Sequence, residues 1–344
     1  MKTDPMRKVL LLPVTIMLTL TLFAQDDVKS LQLKARSFTQ QGDYPNATLV
    51  LNKAIQQAPE NLDLQNDLLF NYYLSQDYAK AVELGKKLTS QPDADIRSYQ
   101  LLGLTYRNIE EVKECEKLYR AGLKAYPNSG VLYNEFGEFL WARKKPEEAI
   151  DLWEKGIAAD ANYSGNYYNA SKYYYLTTDK VWCLIYGELF VNLESYSRRT
   201  PEIKQLLLDG YKKYYTNMNA LKAPDEKNGF ELAFSDILNK NVTTVSTGVT
   251  AASLTMLRTR FLLDWFEKEP GKYAFRLFDY QRQLTREGFF DAYNQWLFGA
   301  AQSLPDFQQW TQQNQKAYEG FINFQKGRVF KLPAGQNYRG WKGK

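Results

Sequence analysis

A 34-residue period in the first half of the chain constrains the fold more than any other feature. Two consecutive blocks, beginning at Ile96 and Gly130, superimpose without a gap. Each block carries a small residue at its eighth position, Gly103 in one and Gly137 in the other. A repeat of this length is one pair of helices, which buries its apolar face only by stacking on neighbouring pairs. The period therefore predicts an all-α stack.

The matched positions fall into two sets that predict two helices per block. The pairs are Tyr99 and Tyr133, Leu102 and Phe136, and Tyr106 and Leu140 in the first helix, then Cys115 and Ala149, Tyr119 and Trp153, and Gly122 and Gly156 in the second. The pattern resembles the tetratricopeptide repeat, in which small residues at positions eight, twenty and twenty-seven let two antiparallel helices approach closely. The resemblance implies a right-handed α-solenoid of helix-turn-helix repeats.

Three further blocks fit the same phase to different degrees. The block beginning at Val28 fits well. The block beginning at Leu62 is weaker, because it places Leu69 at the eighth position and Gly85 at the twenty-fourth. The block beginning at Ser164 is degenerate and lacks the proline that closes other blocks. We therefore predict about five repeats.

Beyond residue 197 the period fades, although amphipathic segments of helical spacing continue. We predict a repeat domain over 25–197, a helical C-terminal domain over 198–326 and a basic extended tail over 327–344. Residues 25–197 contain 19 Lys and Arg against 24 Asp and Glu, a net charge of −5, while residues 198–344 contain 22 against 14, a net of +8. The tail could contact an anionic envelope component or the acidic first half of its own chain.

The start of the sequence is typical of a secretory signal peptide. Lys2, Arg7 and Lys8 precede an apolar run over residues 9–23, and Ala24 then gives way to polar residues. We predict a signal peptide over residues 1–24, either cleaved or kept as an anchor. The phrase Leu-Phe-Ala-Gln-Asp resembles exported proteins of Gram-negative bacteria, which implies a periplasmic or secreted protein.

Composition excludes several classes of enzyme. The chain contains no histidine, so it has no Ser-His-Asp triad, no His-ligated zinc and no histidine pH switch. It has no glycine-rich phosphate loop, and nothing else converges on the carboxylates of Asp264, Glu267 and Glu269. We predict a protein that is not an enzyme, with no catalytic residues, no metal and no cofactor.

The two cysteines occupy the same repeat position in blocks two repeats apart. An exported protein with an even number of cysteines favours a disulfide. Position twenty is a buried small-residue site, however, and helix contacts of roughly 8–10 Å per layer separate Cys115 from Cys183 by more than a disulfide can span. We predict two buried free thiols.

Positions five, nine and twelve of the first helix share one stripe because they are four and three residues apart. The resemblance implies that this helix lines a concave groove. Amides in the stripe could pair with the backbone of an extended peptide, and rings could bind its side chains. The predicted groove residues are Asn66, Phe70, Tyr73, Gln100, Leu104, Arg107, Asn134, Glu138, Trp141, Tyr168, Lys172 and Tyr175.

These observations predict a non-catalytic scaffold or adaptor of the cell envelope that binds a protein or peptide in the groove. Nucleic acid is not an expected partner, and membrane contact is expected only through the signal peptide or the basic tail. One alternative is a structural envelope component that binds cell wall or an anionic surface through the basic C-terminal half. Another is an enzyme with an unrecognised site in the C-terminal domain.

Overall fold

The computed structural model describes residues 27–216, 218, 221–269 and 271–340. The predicted signal peptide lies outside these residues. The chain divides into two compact units, the first ending at Tyr126 and the second beginning at Pro127. The described part is helical, and none of its helices is both long and apolar enough to cross a membrane.

The first unit consists of three helix pairs. Its helices are α1 (27–40), α2 (Tyr44–Gln57), α3 (Leu62–Leu74), α4 (Tyr78–Thr89), α5 (Ile96–Asn108) and α6 (Val112–Ala125). Neighbouring helices pack in sequence, and α3 also packs against α5. The first helices of adjacent repeats therefore lie side by side.

The second unit begins with two more pairs and continues with further helices. Its helices are α7 (Gly130–Ala142), α8 (Pro146–Ala159), α9 (Ser164–Leu176), α10 (Lys180–Leu193), α11 (Thr200–Thr216), α12 (Gly229–Lys240), α13 (Ala251–Lys268), α14 (Arg276–Arg286), α15 (Phe290–Asn294), α16 (Ala300–Gln302), α17 (Leu304–Gln313) and α18 (Gln315–Lys326). A π-helical segment, Gln295–Gly299, joins α15 to α16.

The helix starts confirm the predicted period. First helices begin at Leu62, Ile96, Gly130 and Ser164, each 34 residues after the last, and the second helices from α2 to α10 keep the same spacing. The block beginning at Ser164 is thus a full helix pair despite its degenerate sequence. The unit boundary at Tyr126 falls inside the predicted repeat domain, which keeps its register on both sides.

Side-chain caps explain where many of these helices begin. The side chains of Asp43, Asn61, Asp77, Asp95 and Ser129 each accept a hydrogen bond from a backbone N–H in the first turn of the following helix. Such caps satisfy N–H groups that have no partner within the helix. The capping residues therefore separate the helices at the predicted spacing.

The turn inside four of the repeats contains a left-handed residue at position fifteen. Gly42, Gln76, Glu110 and Lys144 have φ angles of 77°, 61°, 58° and 59°. Only the first is glycine, and a residue with a Cβ is strained in this region by roughly 1–2 kcal/mol. The tight turn between the two helices therefore carries a backbone cost in three repeats.

We expect Lys144→Gly to raise the free energy of unfolding by up to about 1 kcal/mol, because glycine relieves the left-handed strain. Urea unfolding of the full chain measures the change. Lys144→Ala is the matched control, and it should leave stability nearly unchanged since alanine keeps the Cβ. A glycine variant no more stable than the alanine variant would show that this turn is not strained.

A small residue at position eight lets a ring at position twenty-four cross the repeat. A Cβ on Gly103 would lie 2.5 Å from the Tyr119 hydroxyl, and a Cβ on Gly137 would lie 2.6 Å from Cδ1 of Trp153. Both rings are buried. The weak block inverts this size order, since Leu69 at position eight is fully buried and position twenty-four is glycine. The space beside Gly85 is taken by Leu102 of the next repeat, whose Cδ1 would lie 2.9 Å from a Cβ on Gly85.

We expect Gly137→Ala to destabilise the second unit by about 1–3 kcal/mol, because the added methyl overlaps the indole of Trp153. Trp153→Leu added to it recreates the pairing found at Ala35 and Leu51 of the first repeat. The loss in the double variant should be at least about 0.5 kcal/mol smaller than the sum of the single losses. A double-mutant cycle by urea unfolding tests this, and strict additivity would contradict the packing model.

Both cysteines are free and buried, as the repeat register predicted. Cys115 lies against the carbonyl oxygen of Gly103, with 3.8 Å between Sγ and the oxygen. Burial raises the pKa of Cys183 to about 12. Each thiol therefore fills a small-residue position in the packing of a helix pair.

Helix α10 is the centre of the second unit. Every residue from Lys180 to Asn192 is buried, because α9, α11 and α12 pack around this helix. The period fades after α10 because its outer face is covered by helices of another arrangement.

Candidate partner-binding surfaces

In the first unit, the amide predicted to face a peptide instead joins two first helices. Asn66 is fully buried, and its Nδ2 donates to both carboxylate oxygens of Asp95 at 3.1 and 3.0 Å. Its Oδ1 accepts from the Ser98 hydroxyl at 2.9 Å. The amide is therefore engaged inside the unit and does not lie on an exposed stripe.

Asp67, which the sequence analysis did not select, connects three repeats. Its carboxylate accepts from Gln32 Nε2 at 2.8 Å, Arg36 Nε at 2.7 Å and Arg97 Nη2 at 2.5 Å. Burial acts to raise the pKa of this group, but the hydrogen bonds from Arg36 and Arg97 outweigh it and the pKa is lowered. The sequence offered one indication of this role, because Asp67 directly precedes the apolar run Leu68–Phe70 of a first helix.

The remaining predicted residues of the first unit are half-buried. The rings of Phe70 and Tyr73 stack with centroids 6.4 Å apart and planes 15° from parallel. Phe70 and Leu104 pack on the same apolar cluster, while Gln100 and Arg107 lie half-buried on α5. Phe70 thus contacts Tyr73 and shares an apolar cluster with Leu104, while Asn66 is buried and bonded to Asp95 and Ser98.

In the second unit, Asn134 is also buried and joins neighbouring first helices. Its Nδ2 donates to Glu138 at 3.1 Å, and its Oδ1 accepts from Asn169 Nδ2 at 2.8 Å. Asn169 also donates to Glu138 at 3.2 Å. A polar residue at position six thus pairs with position five of the preceding repeat in both units.

Tyr168 and Lys172 contact Glu202 of α11. The Tyr168 hydroxyl donates to Glu202, and the Lys172 ammonium lies 2.7 Å from the same carboxylate. Lys172 and Arg199 each lie 4.7 Å from the centre of the Tyr168 ring. Burial acts to raise the pKa of Glu202, but the contacts to Lys172 and Tyr168 lower it. At this end of the predicted stripe, Tyr168 and Lys172 are engaged by Glu202 in a partly exposed polar cluster.

Tyr175 has two cations near its ring. The Lys213 ammonium lies 3.8 Å and the Lys180 ammonium 5.5 Å from the ring centre. Lys180 Nζ also donates to the Tyr175 carbonyl at 2.6 Å, which caps the C-terminus of α9. The ring is half-buried. Tyr175 therefore faces α10 and α11.

Trp141 has different neighbours from the rest of the predicted stripe. Its ring lies 5.9 Å from Trp153 and 6.3 Å from Tyr173, measured between centroids. It is 40% exposed, and Leu176, one turn after Tyr173 on α9, is 68% exposed. We call Trp141, Tyr173 and Leu176 the apolar patch. A patch with a tryptophan held by other rings is typical of an interface anchor.

A cavity of about 330 Å³ adjoins the apolar patch at Tyr173. Three carboxylates line it, and burial raises the pKa of one of them, Glu154. Glu154 lies in α8, the second helix of its repeat, and Asp179 lies in the turn between α9 and α10, so neither belongs to the stripe on the first helices. The lining residues are Ile150, Asp151, Glu154, Tyr173, Tyr174, Thr177, Thr178, Asp179, Lys222 and Arg339.

Buried polar groups of the C-terminal region also converge on Glu188, as an enzyme site would require. The carboxylate pairs with Arg258 and accepts from Gln281 Nε2 at 2.6 Å and the Tyr293 hydroxyl at 2.7 Å. The adjoining cavity measures about 20 Å³, which holds one water molecule. The cluster therefore has no room for an organic substrate.

The carboxylates named in the sequence do not form a second such cluster. Asp264 accepts from Lys240 at 2.6 Å and from Asn241 at 2.8 Å, and these bonds lower its pKa. Within the part of the chain that the structure describes, no group of three or more Cys, Asp or Glu residues could hold a metal ion.

We expect Arg258→Met to destabilise the protein by roughly 3–5 kcal/mol, because it leaves the Glu188 carboxylate buried without its cation. Adding Glu188→Gln should recover part of the loss, since the neutral amide removes the unpaired charge. Thermal and urea unfolding measure both variants. A single variant as stable as the wild type would show that the pair is not a structural element.

The chain matches no protein-family model and no curated protein. Solved structures similar to it include TTC0263, a tetratricopeptide repeat protein of Thermus thermophilus, at a TM-score of 0.43 and 12% identity over 53% of this chain and 99% of that chain. PilF of Pseudomonas aeruginosa has a TM-score of 0.45 and 16% identity over 57% and 90%. A tetratricopeptide repeat protein from Parabacteroides merdae ATCC 43184 has a TM-score of 0.41 and 16% identity over 80% and 99%.

The helix register itself defines the class. Helix pairs repeating every 34 residues, with small residues where the two helices cross, are the tetratricopeptide architecture. Stacks of this kind present extended surfaces to other proteins. The fold is therefore that of a protein-interaction scaffold.

Proposed function

We propose that this protein is a non-catalytic adaptor that binds a partner protein through the apolar patch of its second unit. The supporting observation is the exposure of Trp141 beside Tyr173 and Leu176 at the rim of an acidic cavity. Burial of a tryptophan at the centre of an interface is among the strongest single contributions to binding.

We further propose that the adaptor works in the cell envelope. The motif over residues 1–24 supports export, with a periplasmic or secreted mature chain. Fractionation and N-terminal sequencing test this, because cleavage after Ala24 leaves Gln25 as the first residue. A full-length chain recovered from the cytoplasm would contradict it.

The alternative in which the basic half binds cell wall or an anionic surface has less support. Arg339 already lies between Glu154 and Asp179, and Arg328 stacks 4.0 Å from the centre of the Phe324 ring. Retention of the wild type on anionic vesicles or cell wall, independent of Trp141, is the result that would favour this alternative.

We expect Trp141→Ala to abolish capture of a discrete partner from an envelope extract, because it removes the central ring of the apolar patch. Leu263→Ala is the matched control: Leu263 is 67% exposed on α13 and lies outside the patch. Quantitative mass spectrometry of the captured proteins compares the two variants with the wild type. Equal capture by Trp141→Ala and wild type would contradict the proposal.

Tyr175→Ala tests the extent of the surface. Because Tyr175 faces α10 and α11 and not the apolar patch, we expect it to lower capture less than Trp141→Ala does. Equal losses in both variants would instead indicate one broad groove along the first helices. Circular dichroism should show unchanged helix content in all three variants.

A further inference from the structure

The C-terminal segment 327–340 contacts the second unit mainly through Leu332, Tyr338 and Arg339. The Asn162 side chain makes two hydrogen bonds to the backbone of Leu332: Nδ2 donates to the carbonyl at 3.0 Å, and Oδ1 accepts from the N–H at 2.9 Å. Asn228 Nδ2 donates to the Tyr338 carbonyl at 2.7 Å. Pairing of amide side chains with a peptide backbone holds an extended segment without reading its sequence.

The segment follows the length of one repeat helix. Asn162 precedes α9 and Asp179 follows it, and α9 is about 20 Å long at 1.5 Å per residue. From Leu332 to Arg339 an extended chain covers about 23 Å. The segment has no regular secondary structure and turns at Ala334 and Gly335, where Gly335 has a φ of 83°.

The ring of Tyr338 packs against an aromatic cluster. This ring stacks on Phe230 with centroids 4.4 Å apart and planes 11° from parallel. Tyr273 and Phe275 stand at 5.8 and 5.7 Å, nearly perpendicular to it. The Tyr338 hydroxyl donates to the Ala274 carbonyl at 2.8 Å. These contacts select a flat ring that carries a hydrogen-bond donor at its end.

The next residue, Arg339, lies in the acidic cavity. Its Nε donates to the Tyr174 hydroxyl at 3.1 Å and lies 3.5 Å from Glu154, and its Nη2 lies 3.9 Å from Asp179. The guanidinium also lies 5.9 Å from the centre of the Trp182 ring. Burial acts to lower the pKa of Arg339, but Tyr174 and the two carboxylates outweigh it. The cavity therefore selects a planar cation.

We propose that this track is a peptide-binding site for a segment without regular secondary structure in which an aromatic residue is followed by arginine, and that the chain's own tail is its resident, displaceable ligand. Within 327–340 only Leu332 is fully buried, and the other side chains are half-buried or exposed. The tail is thus held by a few anchors, as a bound peptide is.

The incoming segment belongs to another protein. Exchange of tails between two copies of this chain would replace each contact by an identical one and gain nothing, whereas a partner can add contacts outside the track. The carboxylates of Glu154 and Asp179 at the end of the track favour a basic partner segment. The track uses residues other than those of the apolar patch, so this proposal and the adaptor proposal can fail separately.

The test uses the full chain carrying Tyr338→Ala and Arg339→Ala, with a fluorescein-labelled peptide of residues 327–340 as the probe. Fluorescence anisotropy should show at least tenfold tighter binding to the variant than to the wild type. In the wild type the tethered tail competes at an effective concentration on the order of millimolar. A probe carrying Arg339→Gln should bind the variant at least tenfold more weakly than the unchanged probe does. Adding Asn162→Ala to the variant should weaken its binding of the unchanged probe by at least tenfold.

Lys331→Ala in the probe is the matched control, because Lys331 is exposed and its loss should change affinity less than twofold. Circular dichroism checks the fold of the double variant. If it unfolds, Arg339→Gln alone, which keeps the Tyr338 stack, takes its place with the same expected gain over wild type. A folded variant that binds the probe no better than wild type overturns the proposal.

Two further outcomes separate the sources of the ligand. Concentration-dependent dimers of the wild type that disappear in the double variant would overturn the assignment to another protein, because they would show exchange between copies. If Trp141→Ala abolishes envelope capture while the double variant still binds the probe, the track and the apolar patch are two distinct binding sites.

Discussion

The close crossing of two helices at position eight governs the repeat region. Because Gly137 has no side chain, the Trp153 ring of the second helix occupies the space beside it and is buried there. This contact sets the separation of the helix pair, because a Cβ there overlaps the ring. The separation in turn brings the next first helix near enough for polar residues at positions five and six to meet, as Asn134 and Asn169 do. The glycine at position eight thus determines both the apolar contacts within a helix pair and the polar contacts between neighbouring first helices.

Sequence periodicity predicted the fold well because it reports which face of a helix is buried. The 34-residue phase predicted the starts of the helices and two free buried cysteines. It did not predict the partner of each polar side chain, since that depends on the neighbouring helix at the same level. Asn66 therefore seemed available for a peptide, although Asp95 and Ser98 already engage it.

Sequence periodicity also could not predict contacts between distant parts of the chain. Asn162 and Leu332 are 170 residues apart, and nothing local marks either as a partner of the other. The tail composition suggested a solvated basic arm with two possible acidic partners. The structure shows one of these, because Arg339 lies beside Glu154 and Asp179 of the first half. The charge counts of the two halves indicated that the tail could bind the first half. The position of the acidic cavity became known only from the fold.

The stacking of Tyr338 on Phe230 has a consequence for the newly made protein. Phe230 belongs to α12 and lies among the rings of Trp182, Trp265 and Phe278, so this cluster can assemble as soon as those helices exist. Tyr338, whose ring stacks on Phe230, is synthesised about sixty residues after Phe278, that is, after roughly 3–12 s of translation at ordinary ribosome speeds. During that interval the nascent chain presents an aromatic surface of the kind that chaperones recognise.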